Sequence, residues 1–73
     1  MAIPTADNKV WLDVVTGKKN VDFQHLGLKM FMGRVGLTMR NDPSKAPQLA
    51  KELFALITAN ITSSKIIEDI KQL

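Results

Sequence analysis

The chain has no cysteine and no tyrosine, and only one histidine, one tryptophan and three prolines in 73 residues. Without cysteine no disulfide can staple a small fold, and a single histidine makes a structural zinc site improbable. The same shortage bears on catalysis, which needs a nucleophile, base or metal gathered in a pocket. His25 is the one imidazole, with Asp22 three residues before it and Lys29 four after it. A surface histidine near a helix start explains that spacing more simply than a proton-transfer pair does. The seven carboxylates show no calcium-loop pattern. The chain is therefore not expected to be an enzyme, nor to bind a metal, a cofactor or a small-molecule substrate.

Long apolar runs are also missing. None approaches the ~20 residues of a membrane-spanning helix, and the opening MAIPTADNK lacks the charged-then-apolar pattern of a secretory signal. The expectation is a soluble, cytoplasmic protein with no membrane partner, in which the Asn60-Ile61-Thr62 sequon carries no meaning.

What is present is a globular composition, 45% hydrophobic and 23% charged. A chain this short makes one domain at most, and its core is marginal. Below about 70 to 80 residues a single core rarely supplies more than ~3 to 5 kcal/mol, so small domains usually add a disulfide, a metal or a partner subunit. The first two are unpromising here. A very well packed bundle or oligomerisation remains.

Periodicity places four helices, at about 8–16, 23–40, 46–61 and 65–73, after a short tail over residues 1–6. In the first, Asp7 is a plausible cap, Gly17 a stop, and Val10, Trp11, Leu12, Val14 and Val15 share one side. Its valines also suit a strand, but no second strand candidate exists to pair with it. Trp11 reads as a core anchor. The TGKKN turn that follows resembles a phosphate-binding loop only in its Gly-Lys pair, because Leu12 stands where the first glycine belongs and Lys19 where Ser or Thr should hold magnesium.

The segment from Asp22 to Arg40, capped by Asp22, carries more apolar surface than one packed face needs. Phe23, Leu26, Met30 and Leu37 form one stripe at about 100° per residue, and Leu28, Phe31, Met32, Val35 and Met39 form another. An ordinary surface helix has one such stripe. Two imply a central helix, either wrapped on both stripes by its own neighbours or with one stripe in the core and the second, taken as Leu28, Phe31, Met32, Val35 and Met39, free to meet another chain. Methionine-rich surfaces suit adaptable interfaces. Gly33 and Gly36 share a face where they can kink the helix, end it, or admit another backbone.

NDPSKAP breaks the chain between helices, with Ser44 a possible cap and Pro47 opening the third helix. Leu49, Ala50, Leu53, Phe54, Leu56, Ile57 and Ile61 make its apolar face. Thr62, Ser63 and Ser64 then cap a last helix whose Ile66, Ile67, Ile70 and Leu73 oppose Glu68, Asp69, Lys71 and Gln72.

The sequence thus specifies an all-α bundle of three or four helices around a widely apolar central helix. Its expected function is a small interaction module that self-associates or docks on a larger protein. The alternative is nucleic-acid binding, because the net charge of +3 is concentrated at Lys18, Lys19, Lys29, Arg34 and Arg40, with only Asp22 among them. A helix-turn-helix is disfavoured by the rigid Asn41-Asp42-Pro43 turn and by the few long polar residues that start the next helix. If the basic stretch does grip phosphates, affinity for duplex or single strands falls steeply with salt as counterions are released. Charge reversal at Lys18 and Lys19 then weakens binding. No binding at low salt ends that alternative.

Overall fold

A computed structural model describes residues 8–73, and the predicted tail and the Asp7 cap lie outside them. The described residues are all-helical, in the order α1 (Asn8–Val15), α2 (Leu26–Asn41), a 3₁₀ turn (Pro43–Lys45), α3 (Ala46–Ala59) and α4 (Ser64–Ile70). The radius of gyration of 11.4 Å equals the ~11 Å expected of a folded chain this long.

Helix α1 is a helix and not a strand because it packs along α3. Trp11, 1% exposed, meets the Phe54 ring at a centroid distance of 5.8 Å and a tilt of 51°, an edge-inclined geometry that aromatic pairs favour. Val14 and Val15 are buried with it, while Lys9 pairs with Asp13 at 3.5 Å on the wet side. The helix stops where expected. Gly17 adopts φ +84° and its N–H reaches the Val14 carbonyl at 3.3 Å, a left-handed closure that strains any residue with a Cβ.

Helix α3 presents Ala46, Leu49, Ala50, Leu53 and Ile57 to the core, with Leu53 and Ile57 almost fully buried. Gln48, Lys51, Glu52, Ala55 and Thr58 face solvent, as the sequence pattern requires. It ends two residues earlier than the pattern suggests, because Asn60 turns its side-chain amide back onto the Leu56 carbonyl at 2.8 Å. At its start the predicted capping role of Ser44 is not what the chain adopts. Asp42 caps the 3₁₀ turn instead, accepting from the Ser44 N–H at 3.2 Å and the Ser44 hydroxyl at 2.5 Å. Those two bonds from Ser44, hydroxyl first, hold the Asp42 carboxyl below its ordinary range.

The larger correction concerns residues 22–25. They form no helical turn, and Asp22 does not cap α2. The segment has no regular secondary structure, with Phe23 buried as a core residue ahead of the helix, and its backbone is held by the far end of the chain. The Gln72 side-chain amide makes two bonds of 2.9 Å to Asp22, accepting from its N–H and donating to its C=O. Asp69, assigned by pattern to the polar face of the last helix, is 1% exposed. Its carboxylate accepts from the Gln24 N–H at 2.7 Å and the His25 N–H at 3.0 Å. Helix α2 therefore starts at Leu26, with His25 in extended geometry at its N-cap, and the negative charge just before that end is favourable to the helix dipole.

Helix α4 is anchored by Ile66 and Ile70, both buried. Ser63 occupies its N-cap position, but its hydroxyl makes no capping bond.

Hydrogen bonds to a charged acceptor contribute about 1.5 to 3 kcal/mol, and an orphaned buried donor costs comparably. Asp69→Asn keeps the shape but sets its amide NH₂ against one of the two N–H donors. Urea unfolding is expected to show a loss of about 2 to 3 kcal/mol. Glu68→Gln, which only removes an exposed ion pair to Lys71, should change stability by less than about 0.5 kcal/mol. Equal midpoints for the two variants would overturn the anchoring role of Asp69.

Candidate protein-binding face

Helix α2 runs unbroken for 16 residues, about 24 Å, and its two apolar stripes are disposed oppositely to the expectation. Leu28 is fully buried and Val35 is 2% exposed. Phe31, Met32 and Met39 are half-buried against the same core. All five residues of the predicted outward stripe thus belong to the inner side, and Leu28 and Val35 have no surface left for a partner. The other stripe faces out: Leu26 is 70%, Met30 66% and Leu37 62% exposed. Phe23 leaves that stripe because residue 23 precedes the helix.

The charges explain the orientation. Lys29 and Arg40 flank the Leu26, Met30, Leu37 row on one side, and Arg34 flanks it on the other; all three are exposed. Their heads must reach water, so the row between them must face outward. The inner stripe carries no charge at its borders, which are Thr38 on one edge and Gly36 on the other. That asymmetry was readable in the sequence.

Along the outer face Leu26, Met30, Gly33 and Leu37 follow at spacings of four, three and four. This is the a/d row of a heptad, the narrow seam of paired helices, rather than the broad arc of a core-facing helix. Gly33 and Gly36 do not kink or end the helix. A Cβ added at either meets nothing within 4 Å, so neither glycine serves a close contact inside the described chain. Gly27 differs, since a Cβ there would lie 3.0 Å from His25 Cε1 and 3.2 Å from Nδ1.

His25 is half-buried, not the freely exposed histidine expected, and its Nδ1 is enclosed without a hydrogen-bond partner. Its link to the acidic residues runs through its backbone N–H. Trp11 Nε1 is likewise enclosed and unpartnered. Neither nitrogen opens on a cavity: among the described residues there is no pocket and no group of three potential metal ligands. No described helix is long and apolar enough to cross a membrane.

The five basic residues of the alternative reading, Lys18, Lys19, Lys29, Arg34 and Arg40, are all exposed, and none forms an ion pair among the described residues. Lys18 and Lys19 lie in the α1–α2 connection, and the other three on α2. No family model, curated protein or solved structure matches the chain.

The two stripes are separated by a pair of charge insertions. Leu37→Glu should leave helix content and melting temperature nearly unchanged, within about 0.5 kcal/mol, because an exposed position accepts a charge. Val35→Glu buries an unpaired carboxylate and should unfold a core that holds only ~3 to 5 kcal/mol. Phe31→Glu should fall on the destabilised side with it. Circular dichroism melts decide, and a Leu37→Glu variant that unfolds would mean the outer row is not outward.

Proposed function

We propose that this chain is a small non-enzymatic helical interaction module that docks another protein, a second copy or a larger partner, through the outer face of α2. The observation that carries the reading is the heptad-spaced row of Leu26, Met30 and Leu37, each more than 60% exposed, on a helix whose opposite side already fills the core. Scattered exposed apolar residues are ordinary on any surface. A heptad-spaced row flanked by charge is not scattered, and helices with such rows bind grooves or other helices. The size of the chain adds a second motive, since burying this row would supplement a core that is marginal at this length.

Nucleic-acid binding through Lys18, Lys19, Lys29, Arg34 and Arg40 is the second reading, favoured by the absence of ion pairs at these cations among the described residues. It gains nothing from aromatic stacking. Trp11 and Phe23 are buried, and Phe31 and Phe54 pack against the core, which leaves no platform for bases.

A photo-reactive benzoylphenylalanine at position 30 should cross-link to protein in the cells that make the chain, whereas the same group at position 51, on the exposed side of α3, should not. Light scattering on the purified chain shows whether the partner is a second copy. A monomer that gives no cross-link at position 30 would eliminate the docking function.

A further inference from the structure

The occupant of the outer face can be narrowed by charge. Helix α2 contains no acidic residue between Leu26 and Asn41, so every ionised side chain that α2 itself sets beside the seam is cationic. With Met30 and Leu37 at a positions and Leu26 and Gly33 at d, Lys29 takes a g position, Arg34 an e position and Arg40 the last d position. These positions decide which helix can lie alongside.

A second copy fits poorly. In a parallel pair the g residue of one helix faces the following e residue of the other, which sets Lys29 against Arg34 twice and stacks the two Arg40 side chains across the seam. In an antiparallel pair centred on Gly33 the e positions face each other, and Arg34 meets Arg34. Either arrangement brings like charges together across or beside the seam. A membrane surface fits poorly as well. Interfacial helices insert a wide apolar face rich in Trp, Phe and Leu, whereas this row is narrow, interrupted at Gly33, and the aromatic residues of the chain all turn toward the core.

Resting on the docking function, we propose that the outer face of α2 receives an acidic amphipathic helix of another protein. The partner lays a heptad-spaced apolar row on Leu26, Met30 and Leu37 and sets carboxylates at the positions facing Lys29 and Arg34. Its bulky side chains occupy the notch that Gly33 leaves in the ridge. Charge complementarity gives the partner its selectivity, and the apolar row its hold.

The test uses two fluorescent peptides of about four heptads, identical in their leucine a and d positions, one with Glu and the other with Lys at e and g. Anisotropy titration of the full chain at low salt is expected to show the Glu peptide binding at least about tenfold more tightly, with the gap narrowing as salt screens the charges. A chain carrying Lys29→Glu and Arg34→Glu should reverse the preference. Leu37→Gln should weaken both peptides, with circular dichroism confirming that each variant stays folded. Equal binding of the two peptides, or binding of neither, overturns the acidic partner. So does a purified chain that dimerises through position 30, or one that binds phosphatidylglycerol vesicles but not the Glu peptide. If position 30 still cross-links to protein when the Glu peptide fails, only the acidic-helix assignment is lost and docking through α2 stands. Loss of both results removes the docking function itself.

Discussion

The carboxylate of Asp69 holds this fold together at the point where local sequence does least. Residues 22–25 have no regular secondary structure, and the N-cap residue of α2 supplies no side-chain cap. The cap comes from 44 or more residues away, as two N–H donors on one buried carboxylate. Gln72 extends the arrangement with the paired bonds a neighbouring strand would make. Without these contacts the backbone donors of a partly buried segment would have no acceptor. The last seven-residue helix thus does more than cover the core: it fixes where the central helix begins.

That placement decides how α2 is divided. Starting the helix at Leu26 leaves Phe23 to enter the core from the irregular segment before it. Leu28, Phe31, Met32, Val35 and Met39 then pack inward and Leu26, Met30 and Leu37 point out. The core is consequently complete on the inner side of α2, and the outer apolar row is surplus to it. A chain with no disulfide can hold such a surplus only while its remaining contacts are economical. The Trp11–Phe54 contact and the fully buried Leu53, Ile57 and Ile66 supply that packing.

Four helices and their order were legible because each shows a repeating apolar face between clear breaks: Gly17 after α1, Pro43 before α3 with Pro47 in its first turn, and Thr62 and Ser63 before α4. Two things were not. Periodicity sees an apolar stripe but not its neighbour, so it does not tell which of the two stripes on α2 faces out, although Lys29, Arg34 and Arg40 straddle the one that does. Asp69 was hidden because a carboxylate is counted as polar wherever it falls. Its position three residues after Ile66 and four before Leu73 sets it at the edge of the buried stripe, and only a long-range acceptor role makes burial there tolerable.

The outer face of α2 is fixed at both ends by contacts within the chain itself. At its start the Asp69 and Gln72 contacts hold the approach. At its finish the Asp42 N–H bonds the Thr38 carbonyl at 2.7 Å, and the Asp42 side chain folds onto Ser44 so that the chain turns at once into α3. A helix pinned in this way presents its side chains in register without needing to fold on contact. The entropy cost of association is then limited to overall motion and the rotamers of Leu26, Met30, Leu37 and their basic neighbours. A seam of only three large apolar side chains could not repay the ordering of a flexible segment. On a preformed helix, even this short row can contribute net affinity.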